Sequence, residues 1–189
     1  MKDVIVLGGP NGAGKTTAAP SLLPLHLGIR EFVNADEIAH GISPLNSEGS
    51  AIAAGRLLIG RIHALARANE SFAFETTCAG RRHVQLLRSC KKARYRVTLI
   101  FLWLPSPDIA LARVARRVRA GGHGIPDDDV IRRYWAGLRN LRRLYLPLTD
   151  IGMIHDNSDE GRVLIAETAG TALTVHEPKR WKLIEEASR

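Results

Sequence analysis

The segment Gly9-Pro10-Asn11-Gly12-Ala13-Gly14-Lys15-Thr16 carries the most explicit chemistry in the chain. It satisfies G-x-x-x-x-G-K-[ST] at every defined position. Glycines let a backbone wrap closely around phosphate, so that N–H groups and a helix N-terminus face the anion. A lysine at position 15 then reaches the β- and γ-phosphates, and Thr16 offers a hydroxyl to Mg²⁺. Residues Gly9 through Thr17 are thus the expected nucleotide-binding set, with ATP and Mg²⁺ as cofactors.

Three further groups of side chains suit phosphoryl transfer. Asp36 follows Phe32-Val33-Asn34-Ala35. A carboxylate there either accepts the proton of an acceptor hydroxyl as it attacks the γ-phosphate or caps the next helix. Glu75-Thr76-Thr77 sets a carboxylate and two hydroxyls at a strand end, which suits a polar substrate such as a sugar, or equally a solvated turn. Arg113, Arg116, Arg117 and Arg119 precede Gly121-Gly122-His123-Gly124, and Arg132 and Arg133 follow it. Arginines on a closing flap stabilise charge on a transferring phosphoryl group. Helical spacing places Arg113 on one face with Arg116 or Arg117 and leaves most of the others to solvent. His123 reads either as a phosphate ligand in the flap or as a structural loop residue.

These residues need a scaffold. Val4–Leu7, Glu31–Val33, Phe72–Phe74, Val97–Leu104 and Gly152–His155 read as strands. Helical patterns follow them: from Lys15 to Pro20 or Pro24, Ser50 to Asn69, Arg82 to Ala93, Asp108 to Arg119, Asp127 to Leu146 and Pro178 to Ala187. In the second of these, Ile52, Leu57, Leu58, Ile62 and Leu65 fall at helical spacing. Residues 162–167 and 171–175 read as an edge hairpin. The alternation predicts a three-layer α/β/α fold in one domain over 1–189, with a mostly parallel five-stranded sheet and a C-terminal edge hairpin. Ligands of such sheets sit at the carboxyl ends of the strands, which would gather Gly8, Asp36, Glu75 and Asp156 around one crevice.

Val97–Leu104 ends in Leu104-Pro105 and not in a Walker-B aspartate, leaving Asp36 or Glu75 as the carboxylate nearest the metal. An LSGGQ-like signature and the GTPase N-K-x-D element are both lacking. The net charge of +8 comes from 27 basic and 19 acidic residues. It suits an enzyme with anionic donor and acceptor. Nucleic acid is a less fitting partner, because the chain lacks a basic tail and a basic stretch interleaved with aromatics. No apolar run approaches a membrane span and no signal peptide is visible, so a cytoplasmic location is expected, with Cys78 and Cys90 as reduced thiols.

Together, Gly-Pro-Asn-Gly-Ala-Gly-Lys-Thr-Thr, Phe-Val-Asn-Ala-Asp, Phe-Ala-Phe-Glu-Thr-Thr, Gly-Gly-His-Gly-Ile-Pro and Ile-Arg-Arg-Tyr resemble the zeta-toxin-like P-loop kinases, over residues 4 to about 158. The resemblance implies a fold like nucleotide and shikimate kinases, and phosphorylation of a hydroxyl of UDP-N-acetylglucosamine. It makes Lys15 the phosphate-loop lysine, Asp36 the catalytic base, Glu75 and Thr77 the sugar-binding E-x-T, and Arg116 or Arg117 the first flap arginine. The second flap arginine has no clean counterpart, with His123, Arg132 and Arg133 nearby. Arg81 stands nearest to the arginine after E-x-T. A separate antitoxin chain is the partner that such a resemblance implies. Two other readings fit the residues alone: a kinase for another hydroxyl compound, nucleotide or nucleic-acid end, and a nucleotide-gated binding module.

Overall fold

Residues 4–7 are apolar on both faces of their strand, and the chain buries all of them. A strand buried on both faces belongs inside a parallel sheet covered by helices. The computed structural model describes residues 2–26, 28–43, 49–122, 124–159 and 161–189. β1 (Lys2–Gly8) lies inside the sheet, parallel to β3 (Phe72–Thr76) on one side and β4 (Tyr95–Trp103) on the other. β2 (Glu31–Val33) pairs parallel to β3, and β5 (Ile151–Asp156) parallel to β4.

The sheet does not stop at five strands. β6 (Val163–Ala169) runs antiparallel to β5, and β7 (Ala172–Val175) antiparallel to β6, giving one mixed seven-stranded sheet in the order β2-β3-β1-β4-β5-β6-β7. The hairpin expected at the edge is therefore continuous with the sheet.

Helices α1 (Lys15–Ser21), α2 (Ala35–Ile42), α3 (Ala51–Arg67), α4 (Arg82–Lys92), α5 (Pro107–Arg119), α6 (Asp127–Asn140) and α7 (Pro178–Ala187) complete the three layers. Leu99, Leu102, Phe72, Phe74 and Trp103 are buried between them; each such side chain contributes about 1.5–3 kcal/mol relative to solvent exposure. No helix among the described residues is long and apolar enough to cross a membrane.

Three sequence expectations are corrected. Of the two stops expected for the first helix, Pro20 lies inside α1, which ends at Ser21 before Pro24, and the chain continues as a π-turn at Leu22–His26. The wider turn accommodates prolines that cannot donate to the helical ladder. The helix after the glycine-rich break ends at Asn140, and a π-turn (Leu141–Tyr145) and a 3₁₀ turn (Leu146–Leu148) follow. In α3 the buried stripe runs through Ala54, Leu58, Ile62 and Leu65, while Ile52 and Leu57 are 73% and 55% exposed. Leu57 lies about 100° around the helix from Leu58, which takes it off the stripe.

Candidate active site

The phosphate loop leaves β1 through Gly9, at φ 142°, where a Cβ would come within 2.3 Å of the Leu102 carbonyl oxygen. Only glycine allows β1 to turn out over β4 so closely. Lys15, 7% exposed, folds back into the loop and donates to the carbonyl oxygens of Gly9 (2.9 Å) and Pro10 (3.0 Å). Burial lowers its pKa, while the Glu75 and Asp36 carboxylates work the other way. The ammonium is thus held at the loop's mouth before any anion arrives.

The Thr16 hydroxyl donates to Glu75 Oε2 at 3.0 Å. Glu75 is the fourth residue of β3, paired with Leu7 in register, and so lies within the strand and not after it. Burial raises its pKa, and Lys15 and the Thr16 hydroxyl counter that rise. The carboxylate beside the loop comes from β3, the opposite flank of β1 from the Val97–Leu104 strand inspected for a Walker-B acid. A hydroxyl and a carboxylate make a hard oxygen pair of the kind that suits Mg²⁺.

Asp36 sits in the first turn of α2, but the cap is Asn34, whose side chain accepts from the Asp36 N–H at 2.8 Å. The Asp36 carboxylate carries no hydrogen bond among the described residues and lines the same cleft, whose volume is about 1190 Å³. Thr76 and Thr77 line it as well. The loop that follows them is held from α6. Gly137 lies so close that a Cβ would stand 2.5 Å from the Thr77 carbonyl oxygen. Asn140 donates to Cys78 O and Ala79 O, both at 2.9 Å, and Tyr145 OH donates to Gly80 O at 2.9 Å. The buried thiol of Cys78 is pushed up to about 12 by desolvation, so it stays protonated beneath the loop.

Arg113, Arg116 and Arg117 all line the cleft, yet they do different things. The Arg113 guanidinium is committed to the carbonyl oxygens of Gly12, Asn157 and Ser158. Arg117 has its Nε and Nη2 atoms buried without a hydrogen-bond partner among the described residues. Gly122 makes room for it, since a Cβ there would sit 2.6 Å from Arg117 Cγ. Buried guanidinium nitrogens without a protein acceptor are chemically suited to receive an anion.

Several expected residues are not brought in. Arg81 is an exposed residue at the start of α4, and its neighbours Arg82 and His83 line the cleft instead. Arg132 pairs with Asp129 at 2.6 Å and does not line the cleft, while Arg133, which also reaches Asp129 at 3.3 Å, does. His123 lies outside the described residues. Asp156 does not face the crevice; it is buried against Arg180. The residue after it, Asn157, lines the cleft and donates from Nδ2 to Ala13 O at 2.8 Å. The rule that ligands gather at strand ends pointed to this turn one residue early. His83, buried against Phe74 with Nδ1 3.3 Å from Thr76 Oγ1, was not anticipated. Burial lowers its pKa to about 4, so it is a neutral polar group at the cleft wall.

Residues 4–141 match the family model described as an AAA domain. The chain belongs to that family. An uncharacterized protein of Haemophilus influenzae is 32% identical over 126 residues, spanning 67% of this chain and 88% of that protein. Among solved structures, a chain of the AvrRxo1-ORF1:AvrRxo1-ORF2 complex with sulphate ions superposes at a TM-score of 0.77 and 16% identity, covering 100% of this chain. This chain spans 65% of that one, under two thirds of its length. The same complex with ATP gives 0.76 at 16% identity, covering 100% of this chain and 65% of the other. A structure from the PezAT chromosomal toxin-antitoxin system of Streptococcus pneumoniae gives 0.65 at 15% identity, covering 99% of this chain and 86% of the other. These likenesses establish a P-loop kinase-like fold. The family match ends at residue 141, so β5, β6, β7 and α7 lie beyond it.

Proposed function

We propose that this chain is an ATP- and Mg²⁺-dependent phosphotransferase that phosphorylates a hydroxyl of a UDP-amino sugar such as UDP-N-acetylglucosamine. The observation that carries the reading is a pair of opposite charges in one cleft without hydrogen bonds among the described residues: the Nε and Nη2 atoms of the half-buried Arg117 and the Asp36 carboxylate, which Asn34 leaves free by capping α2. Asp36 takes the proton of the acceptor hydroxyl. A new O–P bond forms to the γ-phosphorus, the bond to the β–γ bridging oxygen breaks, and ADP leaves. Lys15 and Arg117, with Arg116 beside it, meet the charge on the transferring group. Thr16 and Glu75 would hold Mg²⁺, which when bound neutralises the β- and γ-phosphate oxygens.

The acceptor half of the cleft supports a polar, anionic acceptor. Arg82 and Arg133 supply charge there, while Thr76, Thr77 and His83 supply hydrogen-bonding groups. The flap of this single-domain enzyme is the segment of about 113–133, and the cell interior supplies both substrates. The toxin-antitoxin setting of the PezAT structure supports a separate protein that neutralises this chain.

Incubation with Mg-ATP and UDP-N-acetylglucosamine tests the reading by mass spectrometry. The expected product is the sugar nucleotide heavier by one phosphate. ADP formation without it would overturn the acceptor and leave the phosphotransferase to be matched against nucleotides and nucleic-acid ends, to which the +8 charge is suited. Absence of both ADP and product would overturn the enzyme itself.

A further inference from the structure

The C-terminal quarter of the chain, beyond the family match, is wired to the phosphate loop. β5 ends in Asp156, which is 4% exposed. Its Oδ1 accepts from the Ser158 N–H at 2.9 Å, an Asx turn that fixes the next two residues. Its Oδ2 meets Arg180 Nε at 2.9 Å, and Arg180 is kept in place on α7 by Glu177 at 3.2 Å. The turn so held does three things. Asn157 N–H donates to Trp103 O at 3.0 Å, tying the turn to β4. Asn157 Nδ2 donates to Ala13 O at 2.8 Å. The carbonyl oxygens of Asn157 and Ser158 take up the Arg113 guanidinium, at 2.8 and 2.5 Å, leaving its Nη1 at 3.4 Å from Gly12 O. Gly14 leaves the space for the Asn157 amide, because a Cβ there would stand 2.9 Å from Nδ2. Two carbonyl oxygens of the phosphate loop, at residues 12 and 13, are thus gripped from this turn.

We infer that Asp156 and Arg180 are positioning residues for the phosphate loop, acting through the Asn157–Ser158 turn, so that the C-terminal helix sets nucleotide affinity. The inference rests on the reading of the loop as a nucleotide site. A loop whose N–H groups must all converge on phosphate binds best when its carbonyl oxygens are already turned outward and tied down. The Asn157 amide and the Arg113 guanidinium do that for Ala13 and Gly12. Removing Arg180 leaves the Asp156 carboxylate buried without its counter-charge, and the strain falls on the Ser158 turn that the same carboxylate holds. α7 itself has other anchors, including Ser188 Oγ on Leu138 O at 3.1 Å and Arg142 on Glu185 at 3.1 Å, so it stays docked when Arg180 is lost.

The test compares the full chain with Arg180→Ala, Arg180→Lys and Asn157→Ala. Affinity for a fluorescent ATP analogue is measured well below each melting temperature, beside amide hydrogen exchange of residues 11–16. Arg180→Ala and Asn157→Ala are expected to weaken the analogue on the order of tenfold. Both should speed exchange in the loop, and Arg180→Lys should recover most of each effect. The KM for the acceptor stays unchanged. Unaltered analogue affinity and unaltered exchange in Arg180→Ala would overturn the inference, whatever its melting temperature. If the unmodified chain binds no ATP analogue yet Arg180→Ala loosens the loop, the nucleotide reading falls and the brace stands.

Discussion

The two ends of the cleft are built on opposite plans. At the phosphate end nearly every polar group has a protein partner: Lys15 on two loop carbonyl oxygens, Thr16 on Glu75, Arg113 on the 157–158 turn. At the acceptor end the backbone is fixed, through Gly137, Asn140 and Tyr145, while the side chains of Asp36 and Arg82, unlike those of Thr76, Thr77, His83 and Arg133, carry no hydrogen bond among the described residues. Asp36 is the clearest case. A site that binds a constant ligand gains from preorganised groups, whereas a site that does proton chemistry needs a group with its lone pairs free. On the proposed function, the phosphate end would recognise and the acceptor end would react.

The sharpest way to break that contrast is Asp36→Asn. It should lower turnover by on the order of 10²–10⁴-fold while nucleotide affinity, read by equilibrium titration, stays within about twofold. Comparable losses of both would mean that Asp36 belongs to the binding end. Gly137→Ala probes the backbone support. The added methyl must push the Thr77 carbonyl away, at about 1–3 kcal/mol of stability in chemical denaturation. The acceptor KM should rise with it and the nucleotide Kd should not. A variant with wild-type stability and wild-type KM would show that α6 does not hold the acceptor loop.

The smallest effect concerns pH. The folded His83, against Phe74, Thr76 and Arg82, titrates near 4, and the unfolded chain near 6.5. Between those values the unfolded state holds the extra proton, so the stability linked to His83 is complete above pH 6.5 and is lost as pH falls towards 4, by on the order of 1–3 kcal/mol. Glu75, whose pKa is raised, acts the other way as the medium becomes acidic. A comparison of thermal melts for the parent and His83→Gln isolates the histidine. Parallel pH profiles for the two proteins would refute its buried, neutral role.

The phosphate end was far more legible than the acceptor end, for a physical reason. Phosphate is held by backbone N–H groups, and the demands on backbone leave a fixed glycine spacing in the sequence, as at Gly9 and Gly14. The acceptor end depends on contacts between distant segments. That Gly137 opposes Thr77, or that Asn34 and not Asp36 caps α2, follows only once α6 and α2 are packed. Adjacent basic residues show the same limit. Arg81 precedes α4 while Arg82 opens it, and one helical step decides which faces the cleft. Likewise Arg132 and Arg133 both pair with Asp129, yet only Arg133 lines the cleft. The five parallel strands were readable as apolar runs, but pairing of β6 onto β5 was not, since alternate burial along β5 looks the same with or without a neighbour.

The bond between Asn157 and Ala13 spans 144 residues of sequence. Closing so long a loop is entropically unfavourable until most of the sheet exists to bring its ends together. Chains emerge from the ribosome N-terminus first. The phosphate loop is therefore synthesised well before the turn that ties it down, so a growing chain carries the loop unbraced until residues 156–180 have emerged.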